Sequence, residues 1–291
     1  MKIAFHMGAH CTDEDQLLKT LLRNQDVLAQ HGVGVPAPSR FRTLFRDAVQ
    51  SLDGAAASAQ MQQGLIDALR DHQDVTRLIF SRDNFICNAP KALEKGVLYQ
   101  RAGNKSRALR NLFADHEVEF FFAMRNPATF LPALSGAMEP REFHDMMRGV
   151  VPENLLWSEM IRDIRTNNPD CPITVWCNED TPLIWPEVLH TLAGIDARVP
   201  LQGELDIAAS IMAPQGFARL ESYLATHPPA NPTHRHRVLA AFLDKYALDE
   251  AMEEEVDLPG WTPELVVQLS DIYDGDMQDV AEIPGVRLIE P

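Results

Sequence analysis

The sequence predicts an α/β fold in three layers: a mostly parallel central sheet flanked by helices, with a helical C-terminal part. Three observations carry the prediction. Short apolar runs at residues 2–7, 75–81, 118–124 and 173–177 have the continuous hydrophobicity of strands buried on both faces. The segments between them repeat apolar residues at the spacing of a helix packed on one side. Each run ends in glycine or polar residues, at Gly8, Ser81, Arg125 and Asn178, and parallel sheets bind ligands beyond such carboxyl ends.

The first run leads through Gly8 to Thr12, where a helix is expected to begin. Leu17, Leu18, Leu21, Leu22 and Leu28 recur along it, and Gly32 stands where a C-terminal cap belongs. Thr12 and Asp15 are close to a capping box, and Asp13, Glu14 and Asp15 complement the helix dipole by roughly 0.3–1 kcal/mol each. Residues 33–36 leave this helix. Phe41, Leu44, Phe45, Ala48 and Leu52 outline a second helix carrying Arg40, Arg42 and Arg46, and Met61, Leu65, Ile66 and Leu69 mark a third. Ser81-Arg82-Asp83-Asn84 closes the second strand, and residues 90–115 read as helical and basic. Arg125-Asn126-Pro127 bounds the third strand. Helices are expected at 140–149, 152–165 and 186–192, the last after the fourth strand. Residues 1–195 therefore form the α/β core, and residues 196–291 a mainly helical extension packed on it. Its helices are expected at 214–225, 234–246 and 263–273, with an acidic run at 250–257.

A formal charge of −16 over 291 residues argues against nucleic acid and anionic membrane as partners, since phosphate contacts need clustered Lys and Arg. No apolar run approaches the roughly 18 residues of a membrane span. The N-terminal run, broken by His6 and His10 and followed by acids, lacks the form of a signal peptide. Cys11, Cys87, Cys171 and Cys177 include no Cys-x-x-Cys pair and read as free thiols of a reducing compartment. A cytoplasmic protein without membrane contact is expected.

Four segments together resemble bacterial sulfotransferase-like proteins of the P-loop superfamily, over roughly the first 195 residues. They are His6-Met7-Gly8-Ala9-His10-Cys11-Thr12, Ser81, Arg125-Asn126-Pro127, and the run from Ile173 through Cys177-Asn178-Glu179-Asp180. The resemblance implies 3′-phosphoadenosine 5′-phosphosulfate as co-substrate and transfer of its sulfuryl group to a hydroxyl of a small-molecule or glycan acceptor. It also implies that Gly8, Ala9, His10, Cys11 and Thr12 wrap the 5′-phosphosulfate. Arg125 and Ser135 would then hold the 3′-phosphate, with His10 the nearest general acid or base. Positive groups at the leaving phosphate would carry much of such a rate.

Cys11, however, occupies the position of the family's loop Lys, and Asp13-Glu14-Asp15 replace Gly-Thr-Thr. Ala133 falls where the 3′-phosphate Ser is expected, with Ser135 two residues beyond. A carboxylate about 5 Å from a bound phosphate costs on the order of 3 kcal/mol at an effective dielectric near 20. Two other functions therefore stay open. One is a non-catalytic binding or scaffold protein that keeps the fold and needs no cofactor. The other is an enzyme that uses the acid-rich loop for a metal or a cationic ligand.

His6, His10, Cys11, Asp13 and Asp15 are metal-ligand types, but His6 alternates to the other strand face and successive acids at a helix start diverge, so no metal site is assigned. The same acids oppose use of Cys11 as a thiolate nucleophile. Arg101, Lys105, Arg107 and Arg110 form either a solvated helix face or a site for an anionic group. Trp157, Trp176, Trp185 and Trp261 lie in apolar patterns and are read as core.

Overall fold

The computed structural model describes residues 1–252 and 258–291, so 253–257 of the acidic run lie outside the described residues. Among the described residues, six strands make one sheet in the order β2-β3-β1-β4-β5-β6. They are β1 Lys2–His6, β2 Val33–Gly34, β3 Arg77–Ser81, β4 Glu117–Met124, β5 Ile173–Cys177 and β6 Val286–Ile289. Every neighbouring pair is parallel, and helices cover both faces. The α/β class and the four expected strands are therefore present, as an all-parallel sheet.

The alternation of β1 sets the two layers. Ile3, Phe5 and Met7 enter an aromatic core with Phe41, Phe45, Phe80, Phe113 and Phe120, in which Phe5 lies 5.4 Å from Phe80 and 6.1 Å from Phe120. Ala4 faces the other way, with Ala123 and Trp176, toward the helices Gln16–Arg23 and Thr181–Ala193. Trp157, Trp176 and Trp185 are buried as expected, and the half-buried Trp261 donates its ring N–H to the Ala128 carbonyl at 2.9 Å.

Several local expectations need correction. The sequence missed β2 because two residues show no period, and β6 because Arg287 interrupts its apolar run at the sheet edge. Through β6 the C-terminal third supplies a strand to the sheet as well as helices. Residues 90–115 are not one helix: short 3-10 turns at Ala89–Lys91 and Glu94–Gly96 precede the helix Ala102–Asn111, because Lys95 and Tyr99 adopt left-handed backbone at φ 61° and 45°. The helix expected at 152–165 starts at Trp157, and the one after β5 starts at Thr181 and runs through Pro186.

The helices Pro214–Thr226 and Pro232–Tyr246 pack about Leu220, Val238 and Leu239. A Cβ on Gly216 would stand 2.3 Å from Cβ of Tyr246. Gly216→Ala should therefore force these helices apart and lower stability by about 1–3 kcal/mol, measured by thermal melting. No described helix is long and apolar enough to cross a membrane.

Candidate functional site: an acid-lined cleft at the carboxyl edge

The carboxyl ends of β1, β3, β4 and β5 converge on one cleft of about 1130 Å³, where His6, Cys11, Ser81, Arg125 and Asn178 meet. This is the convergence that strand order and sequence anticipate. Among the described residues, five carboxylates stand around the opening, Asp13, Glu14, Asp15, Asp83 and Asp206, against two cations, Lys19 and Arg125. Arg23 and Gln16 reach Asp206 at 2.8 and 3.3 Å, and Lys19 donates to the Glu14 carbonyl at 3.0 Å. The three loop acids therefore border the cleft.

The loop between β1 and its helix differs in detail from the capping box expected at Thr12. The helix begins at Gln16, and Asp15 takes left-handed backbone at φ 64° without a side-chain cap. Thr12 Oγ1 instead donates to the Ala9 carbonyl at 2.9 Å. Asp13 supplies the cap: its Oδ2 accepts the Leu17 N–H at 2.9 Å, and its carbonyl accepts the Gln16 N–H at 2.7 Å. A first-turn N–H that would meet an anion is thus held by the chain's own carboxylate.

The two loop histidines are placed very differently. His10 does not line the cleft. Its ring lies parallel to Tyr99 at 5.7 Å, its backbone N–H donates to the Tyr99 hydroxyl at 3.0 Å, and Nδ1 meets that hydroxyl at 2.7 Å. The Asn84 amide donates to Asp83 at 2.6 Å, so its Oδ1, 3.4 Å from Nε2, accepts from Nε2–H, and the Tyr99 hydroxyl then donates to Nδ1. Burial pulls the His10 pKa down, opposed by Asp83.

From the sequence, His6 reads only as a metal-ligand type, set aside for its strand face. It lines the cleft floor, stacks on Trp176 at 5.8 Å, and pairs Nδ1 with Ser81 Oγ at 2.8 Å. Nε2 is buried without a hydrogen-bond partner. Burial lowers the His6 pKa despite Asp13 and Asp83 nearby, so the ring favours the neutral form. Nε2 is thus an unpartnered ring nitrogen at the base of an acidic cleft. The signal was legible: His6 ends the strand on the face of Ala4.

Arg125 donates to the Cys11 carbonyl and to Thr129 Oγ1, the latter at 3.2 Å. Its carbonyl accepts from the Trp157 indole at 2.9 Å. Behind it, Asn126 donates its N–H to Glu179 at 2.7 Å and its amide to Ser270 at 2.8 Å, while its oxygen caps Ala128 at 2.9 Å. These bonds tie the ends of β4 and β5 to the helix Pro263–Ala281. From the helix Pro127–Gly136 and its C-terminal cap, Ala133, Gly136 and Ala137 face the cleft, and Ser135 is not among them. Gly8, with φ 118°, lies beneath the loop, where a Cβ would stand 3.4 Å from the Asp83 carbonyl.

Cys11 borders the cleft with its thiol pKa raised by burial, and Asp83 and Glu14 add to the effect of burial while Arg125 opposes it. It is a poor thiolate, as the acids suggest, and all four cysteines are free thiols. Among the described residues no group of three or more His, Cys, Asp or Glu is arranged to hold a metal ion.

Fold and cleft together define an all-parallel α/β protein with an acid-lined opening at the sheet's carboxyl edge. No protein-family model matches the chain, and no curated protein matches it.

Proposed function

We propose that this chain is a binding protein whose carboxyl-edge cleft takes a small organic cation, an ammonium or guanidinium group. The observation that carries the reading is the Asp13 carboxylate on the Leu17 N–H, which occupies the end of the helix where a phosphate would seat. Glu14, Asp15 and Asp83 then surround the opening with negative charge. The unpartnered Nε2 of His6 adds a polar ring nitrogen at the floor.

A second reading is sulfuryl transfer from 3′-phosphoadenosine 5′-phosphosulfate as co-substrate, which draws on Arg125 at the cleft and on the sequence resemblance. One calorimetric experiment separates the two. Spermidine should bind with measurable heat and weaken steeply as salt is raised from 20 to 300 mM, these being experimental settings on the order of the screening range. Adenosine 3′,5′-bisphosphate should give no heat at millimolar concentration. Micromolar binding of the bisphosphate with no response to spermidine would replace the first reading with the second.

A further inference from the structure

Four basic residues noted in the sequence, Arg101, Lys105, Arg107 and Arg110, do not act as a group. Arg101 pairs with Glu94 at 2.7 Å, Arg110 pairs with Asp170, and Arg107 donates to the Asn167 carbonyl at 3.0 Å. Lys105 alone turns to a second cleft, between the helices Pro38–Leu52 and Ala102–Asn111, where it joins Arg42 and Arg82. Among the described residues, none of these three side chains makes a hydrogen bond or ion pair with a protein group. A fourth cation at the cleft, Arg46, is paired with Asp47 at 3.0 Å. No carboxylate among the described residues lines this opening, in a chain of net charge −16.

Arg42 and Arg82 also crowd one another. Burial and then the nearby Arg42 guanidinium pull Arg82 below the ordinary arginine range, with Asp83 offsetting part of the effect. Unpaired like charges held together are unfavourable unless an anion joins them. Beneath them the floor is apolar: Phe41 and Phe85 stack at 5.7 Å, and Phe45 lies 5.3 Å from Phe41. The volume, about 340 Å³, is at the lower end for small-molecule pockets.

We infer that this cleft is a second binding site, for a small organic anion that places a carboxylate, sulfate or phosphate between Arg42, Arg82 and Lys105 and lays a flat apolar body on the phenylalanines. It does not depend on what the acidic cleft binds. Arg82 leaves the end of β3 with its backbone N–H on the His6 carbonyl at 3.0 Å, so its position is fixed by the sheet. Arg42 and Lys105 are exposed and can close over a ligand from two helices.

The test uses the full chain and two fluorescent probes of similar ring size, anionic 1-anilinonaphthalene-8-sulfonate and neutral N-phenyl-1-naphthylamine. The sulfonate should bind saturably at one site and at least about tenfold more tightly than the neutral probe, the order expected for one charge-assisted interaction. R42E/K105E should weaken the sulfonate by tenfold or more and leave the neutral probe within twofold. R42Q/K105Q, which removes charge without reversing it, should fall between. Both pairs lie at exposed positions, and unchanged circular-dichroism melting will verify folding. Equal affinity for the two probes, or sulfonate binding retained in both variants, would overturn the inference.

Discussion

Asp276→Ala is expected to lower the unfolding free energy by about 3–5 kcal/mol, the largest effect of any single change considered for this chain. Asp276 lies on the helix Pro263–Ala281 and is 5 % exposed, yet its carboxylate serves another helix. Its Oδ2 accepts the backbone N–H groups of Trp157 at 2.6 Å and Ser158 at 3.2 Å, the first two residues of the helix Trp157–Asn167. Sequence-local capping is absent there, because the cap position is Leu156. Truncation leaves two buried donors without an acceptor, each costing about 1–3 kcal/mol, and removes a cap. Asp276→Asn keeps one oxygen and should cost less, about 1–2 kcal/mol. Urea denaturation at pH 7 measures both, and a loss below about 1 kcal/mol for the alanine variant would show that water substitutes for the carboxylate.

Acidification from pH 7.5 to 5.5 is expected to destabilise the fold through His6 and His10. Burial holds both below the ordinary histidine pKa of 6.5 in the folded chain. The unfolded chain titrates near 6.5, so below that pH it binds protons that the folded chain refuses. Stability is therefore fully present above pH 6.5 and falls as pH drops toward the folded-state values. The slope reaches at most about 1.4 kcal/mol per pH unit for each histidine, or about 2.7 for the pair. Glu179 and Asp276, whose carboxyls burial holds above the usual range, contribute with the opposite sign at lower pH. The difference between the wild-type chain and His10→Gln isolates the His10 contribution. His116 and His236, also lowered by burial, add to the slope with the same sign. Denaturation at pH 7.5, 6.5 and 5.5 should show the variant losing the His10 share of the slope, at most about 1.4 kcal/mol per pH unit, and identical slopes would remove His10 from the account.

The fold was largely legible because its strands are continuous apolar runs. Residues 118–124 and 173–177 needed no tertiary information to be recognised, and their polar ends located the cleft. The failures have local causes. β2 is two residues long, β6 carries Arg287 in mid-strand, and Tyr99 takes a left-handed conformation inside a helical pattern. At the site, residue type was legible and orientation was not. His10 looked available in the sequence, but Tyr99, 89 positions away, engages its backbone and ring. His6 looked like the last residue of a strand, yet its Nε2 lacks a partner. Asp13 looked like one of three similar acids, and only the turn at Asp15 singles it out as the cap. Each depends on a contact or a backbone angle that has no periodic signature.

The turn that follows β3 has one more effect. Arg82 and Asn84 border one opening and Asp83 the other, so a single short segment is a partition with opposite electrical polarity on its two sides. At physiological ionic strength the screening length is about 8 Å, so each field is felt only in the last steps of approach. A cation and an anion reaching this edge therefore meet opposite local charge at the two openings. A strongly acidic molecule thereby presents a patch of basic side chains a few residues from its most acidic loop.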